Sequence, residues 1–146
     1  MGSAVIAGIT MYFMQVYAFY DTVPDGGYTV QLTSVATGEL EPILAENVQA
    51  IDADSSPLRF RACFTTTHSQ AMLTESFVVY DSPDPLTAPR WFDCYDAATV
   101  GEALKNEQAI AYLAQENVHD GVDRVVAVFD DGRAFAWHQL NEKYKN

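Results

Sequence analysis

Near the C-terminus two apolar runs, Arg124–Asp130 and Arg133–Leu140, flank Asp131-Gly132. Asp-Gly between such runs is a strong signal for a tight β-hairpin, because a type I′ turn needs positive φ at both central residues. A two-residue loop pairs Asp130 with Arg133, Val128 with Phe135, Val126 with Trp137 and Arg124 with Gln139 on one face. The other face then pairs Phe129 with Ala134, Ala127 with Ala136 and Val125 with His138. Both faces are largely apolar, so the hairpin needs cover on both sides. The three alanines on the second face let a helix approach closely. The expected fold is therefore α+β, with this hairpin inside a mainly antiparallel sheet.

The rest of the body supplies matching elements. Tyr28–Val35 alternates apolar and polar residues and reads as a strand, as do Arg59–Thr66 and a short Val48–Ile51. Phe77–Tyr80 and Ala109–Ala114 read as further strands, the latter followed by a His119-Asp120-Gly121 turn. Two short helices are expected. One spans His68–Leu73, with Thr67 to Gln70 as a capping box; the other spans Ala97–Lys105, with a second box from Thr99 to Glu102. Pro83, Pro85 and Pro89 exclude the 81–89 segment from a central strand. No repeat or long linker divides the body, which reads as one domain over residues 28–146.

Charge is distributed unevenly. The 146-residue chain carries a formal charge of −12. Residues 1–20 contain no charged side chain, and the first Lys or Arg is Arg59. Such a balance argues against nucleic acid, whose phosphates need clustered bases. It also argues against a basic patch on anionic lipid. The uncharged block Ala4–Tyr20 reaches roughly 26 Å as a helix, slightly short of a hydrocarbon core. Tyr12, Phe13, Tyr17, Phe19 and Tyr20 crowd its C-terminal half, where an interfacial aromatic belt belongs. The block reads as the C-terminal part of a membrane anchor. A cleaved signal peptide ending near Ala18 and a buried core helix are the alternatives. Residues 21–27 then form a linker. The base-free flank favours translocation, which places the body on the periplasmic side of an inner membrane.

Cys63 and Cys94 are the two cysteines. They form no CxxC pair and no zinc-finger spacing. In an exported domain they most simply form one disulfide. Two separate buried thiols, or a reactive or metal-binding thiol, are the alternatives. Strand alternation puts Arg59, Arg61 and Cys63 on one face and Phe60, Ala62 and Phe64 on the other, so neighbouring guanidinium groups would favour a thiolate.

Several segments carry a resemblance: Tyr12–Tyr20, Leu32–Gly38 (LTSVATG), Ile51–Phe64 (IDADSSPLRFRACF), Leu86–Ala97 (LTAPRWFDCYDA) and Asp131–Asn141 (DGRAFAWHQLN). Together they resemble an uncharacterised family of small alphaproteobacterial proteins of unknown function. The resemblance implies a single N-terminal anchor and an exported domain, and it implies no known activity.

The chain shows no HExxH, GxSxG, P-loop or GxGxxG motif, so no metal ligand set, cofactor or catalytic residue is assigned. The candidate binding residues are Arg59, Arg61, Trp91, Tyr95, Trp137 and His138. Trp91, Phe92 and Tyr95 crowd a loop beside Cys94; exposed, they would anchor a protein partner, and otherwise they cap the core. The expected function is a membrane-anchored, periplasm-facing accessory or protein-interaction module. The alternatives are a small-ligand binder or enzyme near Arg59, Arg61 and His138, and a metal or redox protein using Cys63 and Cys94.

Overall fold

A computed structural model of the chain describes residues 21–22, 30–52, 58–89 and 92–141. The hydrophobic block of residues 1–20, and its reading as an anchor, lie outside them. Among the described residues, no helix is long and apolar enough to cross a membrane.

The strands are β1 (Asp21–Thr22), β2 (Gln31–Thr33), β3 (Leu40–Pro42), β4 (Glu46–Asp52), β5 (Arg61–Thr65), β6 (Ala109–His119), β7 (Val122–Phe129) and β8 (Arg133–Leu140). Two short helices, α1 (Gln70–Ser76) and α2 (Ala97–Lys105), lie between β5 and β6. Six strands form one antiparallel sheet in the order β1-β4-β5-β8-β7-β6, and β2 pairs with β3 in a separate ribbon. The architecture is α+β and mainly antiparallel, as the hairpin pattern requires. The first two residues of the expected linker belong to the sheet, because Asp21 and Thr22 pair with Asp52 and Ile51.

Alternation from Phe60 through β5 sorts side chains between two cores. Phe60, Ala62 and Phe64 enter the first, with Leu32, Leu73 and Val126. Cys63 enters the second, with Val100, Val125, Phe135 and Trp137. The β2–β3 ribbon and α1 cover the first core. Residues 81–89 and 92–96, with α2, cover the second. The extended residues 77–80 join ribbon to sheet: the Val78 amide donates to Thr33 O, and the Leu113 amide donates to Val78 O.

The β7–β8 hairpin forms, but one residue out of the expected register. Val128 faces Ala134, Val126 faces Ala136, Val125 faces Trp137 and Arg124 faces His138. The loop is three residues, Asp130-Asp131-Gly132, not a two-residue Asp-Gly turn. Gly132 sits at φ +94° and its amide donates to Phe129 O, the pattern of a three-residue loop closed by a glycine bulge. A one-residue slip exchanges the faces of a strand relative to its partner. Here Val126 and Val128 lie over Ala134 and Ala136, while Phe135 and Trp137 lie over Ala127 and Val125. There is no single alanine face.

Gly132 is required for two reasons. Its φ disfavours any side chain, and an added Cβ would lie 2.7 Å from Thr66 O. Gly132→Ala is expected to cost about 1–2 kcal/mol in urea unfolding. An unchanged midpoint would contradict the bulge geometry.

Both helix starts differ from the predicted capping boxes. The α1 cap is Ser69, whose Oγ accepts from the Met72 amide at 3.2 Å, so the helix begins later than His68. Thr66 Oγ1 instead accepts from the His68 amide as the chain leaves β5. The α2 cap is Asp96, whose carboxylate accepts from the Ala98 and Thr99 amides. A carboxylate there also suits the partial positive charge of the helix start. Val100 and Ala103, on one face of α2, enter the second core.

Candidate functional site

Polar groups concentrate on the side of the sheet covered by residues 81–89 and 92–96. Arg61 stands opposite Trp137 in the β5–β8 register and is buried. Its Nε donates to Leu86 O at 3.1 Å and Thr87 O at 3.0 Å, and its Nη1 donates to Leu58 O and Phe60 O at 2.6 Å each. One guanidinium therefore ties the start of β5 to the segment crossing above it. Only a planar fork spreads donors over several carbonyls in this way. Arg61→Leu is expected to lower stability by about 2–3 kcal/mol in urea unfolding, because buried carbonyls lose their donors. Arg61→Lys should recover little of it, and full recovery would show that charge alone matters.

Gln139 makes a second tie. Its Oε1 accepts from Trp137 Nε1 at 2.9 Å and from the Asp84 amide at 2.7 Å, while its Nε2 donates to Ser82 O at 2.9 Å. Asp123, buried near the end of the same face, accepts from Tyr80 Oη at 2.9 Å, the Asn117 amide at 3.0 Å and Asn141 Nδ2 at 3.1 Å. Sequence reasoning passed over Asp123 and Gln139. For Gln139 the available signal was a polar residue inside the apolar run Arg133–Leu140; Asp123 lies just before the run Arg124–Asp130 and joins β7 in the structure.

The third tie is covalent. Cys63 and Cys94 form a disulfide with Cα atoms 6.3 Å apart. Arg61 and Cys63 share a face, as alternation predicts, but the sulfur is bonded and no thiolate exists there. Among the described residues there is no free cysteine, and no group of three or more His, Cys, Asp or Glu is placed to hold a metal ion.

Phe92 and Tyr95, beside Cys94, are buried and cap the second core. Trp91 lies outside the described residues. The Tyr95 hydroxyl is buried, with no hydrogen-bond partner among the described residues. Burial pushes its phenol well above the usual range, against the opposing pull of Arg61, and Asp84 adds to the rise. Burial also raises Tyr112, partly offset by its hydrogen bond with Thr74. Below about pH 10 these phenols are neutral in the folded and unfolded chain alike. Above it the unfolded chain ionises first, so their contribution to stability falls as pH rises. An alkaline absorbance titration should show Tyr95 ionising only together with unfolding. Reversible ionisation of every tyrosine in the folded protein would refute this.

His138 lies on the opposite side of the sheet. Arg124 Nε donates to His138 Nε2 at 3.0 Å, which leaves the imidazole proton on Nδ1. The Phe60 ring stacks on His138 with centroids 4.7 Å apart, Arg124 Cζ lies 4.4 Å from the Phe60 centroid, and His119 approaches edge-on. His138 therefore packs against Arg124, not Val125 as a two-residue turn would place it. The structure brings Arg61, Trp137 and Tyr95 to one face and puts His138 on the other. Arg59, half-buried, precedes β5. Two open surface depressions, of about 410 and 400 Å³, lie beside α2. The first is lined by residues including Glu102, Asp130 and Arg133, and the second by Pro89, Phe92 and Tyr95. Neither includes Arg61 or His138.

These features define a small α+β domain whose buried polar groups hold a long segment against one face of an antiparallel sheet. The chain belongs to the Family of unknown function (DUF6446), which it matches over residues 30–146. That span takes in the whole body from β2 onward; the Tyr12–Tyr20 segment precedes it. No curated protein and no solved structure matches the chain.

Proposed function

We propose that the protein is a membrane-anchored accessory module whose body faces the periplasm and acts through contacts with other proteins. The disulfide is the observation that carries this reading, because such a bond persists in an oxidising compartment and is rare in a reducing cytosol. The uncharged Ala4–Tyr20 block and the base-free flank after it favour the same placement. The buried polar groups favour a structural frame over a reaction centre. Arg61 and Gln139 use their donors and acceptors on the chain itself, and Arg61 and His138 face opposite sides of the sheet.

Intact mass of protein taken from native cell membranes, alkylated with and without prior reduction, tests this. The expected result is an uncleaved N-terminus with no thiol alkylated until reduction. Two thiols alkylated without reduction would place the body in a reducing compartment and overturn the reading. Recovery in the soluble fraction with a shortened N-terminus would replace the anchor with a cleaved signal.

A further inference from the structure

At the end of the sheet away from the Gly132 loop, neighbouring strands set one row of side chains on the first-core face. Phe60 stands one register step beyond the Arg61–Trp137 pair, opposite His138, and His138 stands opposite Arg124. The Phe60 and His138 rings stack at 4.7 Å, and Arg124 Cζ lies 4.4 Å from the Phe60 centroid. Arg124 Nε donates to His138 Nε2 at 3.0 Å. His138 is 2% exposed, and Arg124 is half-buried.

This contact fixes the protonation state of the ring. A guanidinium keeps its protons at every ordinary pH and offers only donors. Nε2 must therefore present a lone pair, and the imidazole must be neutral. A proton taken from solvent at Nε2 replaces that lone pair with an N–H. Two donors then face each other, two cations stand side by side, and the Nε–H···Nε2 bond is lost. Arg124, half-buried on a long stem, is the partner able to turn outward.

The described groups around the ring favour its neutral form. His119, at the end of β6, approaches edge-on at 6.1 Å and is itself a base. Along the strands on this face, the neighbours are Ala136 and Leu140, Val122 and Val126, and Ala62. The β2–β3 ribbon brings Leu32, with the exposed Glu41 opposite it in register, and α1 brings Leu73, with Glu75 exposed. The carboxylate in the same row is Asp52, one step beyond the Ile51–Arg61 pair and so beside Phe60; its register partner in β1 is Asp21. Two strand spacings, roughly 10 Å, separate the backbones of Asp52 and His138. The Phe60 ring attracts a cation, but it already carries Arg124.

We propose that His138 and Arg124 form a pH-sensitive latch. Proton uptake at His138 Nε2 releases Arg124 from His138 and Phe60 and uncovers this end of the first core, while the rest of the sheet stays paired. The latch is independent of the interaction-module reading. Histidine in an unfolded chain titrates near about pH 6.5. Above that pH the ring is neutral in both states and the latch is closed. Below it the unfolded ring takes a proton that the closed latch excludes, so the stability the latch contributes falls as pH falls.

The test is an NMR titration of the full nitrogen-15-labelled chain in neutral detergent, from about pH 7.5 to about pH 4.5. It follows the His138 ring nitrogens and the Arg124 Nε–H. At the neutral end His138 should show the Nδ1–H tautomer. On acidification the ring should protonate with a midpoint below about pH 6.5. The Arg124 Nε–H signal should be lost at the same midpoint, with the Val126 and Val128 amides unchanged. Arg124→Met keeps an apolar stem and removes the cation, so the proton affinity of His138 should rise about tenfold. His138→Gln keeps an acceptor that does not titrate, so the Arg124 Nε–H signal should persist through the acid range. A His138 midpoint at or above that of free histidine overturns the proposal, as does one that Arg124→Met leaves unmoved. Loss of the Arg124 signal at the same pH in His138→Gln also overturns it. Simultaneous loss of the strand amides would show global unfolding in place of a latch, and overturns it too. The wild-type titration decides the question by itself where either variant fails to fold.

Discussion

Trp137→Ala is expected to be the most damaging single substitution in the body, costing about 3–5 kcal/mol in urea unfolding. The ring is fully buried in the second core, between Arg61 on β5 and Val125 on β7 in the sheet register. Alanine removes most of that volume, and a packed interior relaxes only partly around the void. The substitution also removes the Nε1 donor to Gln139 Oε1. Trp137→Phe separates the two effects. It keeps a large ring and deletes the donor, so about 1–2 kcal/mol is expected. Gln139 Oε1 keeps the Asp84 amide as a donor, which limits the loss. If phenylalanine costs as much as alanine, the hydrogen bond and not the volume holds this region. With total stabilities of about 5–15 kcal/mol for such domains, the alanine variant would leave much of the protein unfolded at 37 °C.

Breaking the disulfide ranks second. Cys63 and Cys94 are 31 residues apart, and their bond restricts the unfolded chain by about 3–4 kcal/mol on the loop-closure account. A double Cys63→Ala, Cys94→Ala variant is the clean comparison, because it leaves no lone thiol. The effect should be local before it is global. The bond anchors Cys94, and the neighbouring Phe92 and Tyr95 cap the second core. Hydrogen exchange should therefore rise first over residues 92–96. The Gln70–Ser76 helix, on the far side of the sheet, should keep its protection. Equal loss of protection on both sides, or an unchanged unfolding midpoint, would refute this account.

The disulfide, Arg61 and Gln139 do one job by different chemistry. Three prolines exclude the 81–89 segment from a central strand, yet it must cover an apolar face. Arg61 holds it at Leu86 and Thr87, Gln139 holds it at Ser82 and Asp84, and Cys94 holds the following residues. Such ties explain why polar residues stand inside otherwise apolar strands.

Local patterns in the chain were sufficient for several conclusions. Apolar alternation named a strand over Arg59–Thr66, observed as Arg61–Thr65, and divided Phe60, Ala62 and Phe64 from Cys63. The Ala97–Lys105 helix has the bounds read from the sequence, although its cap is Asp96. The two apolar faces of the hairpin require a sheet covered on both sides. All of these depend on residues close in sequence, for which chain geometry sets the neighbours.

Register, caps and the pairing of distant polar groups required the tertiary structure. Where both faces of a hairpin are apolar, a slip of one residue leaves the hydrophobic pattern satisfied, so the pattern carries no vote. The Gly132 bulge cast it, with Thr66 donating to Gly132 O from the neighbouring strand. That contact decided that His138 meets Arg124 on one side, while Trp137 meets Arg61 on the other. A side chain's face is written locally in the alternation of its strand. Which strand lies opposite, and in which phase, is settled by contacts between segments dozens of residues apart.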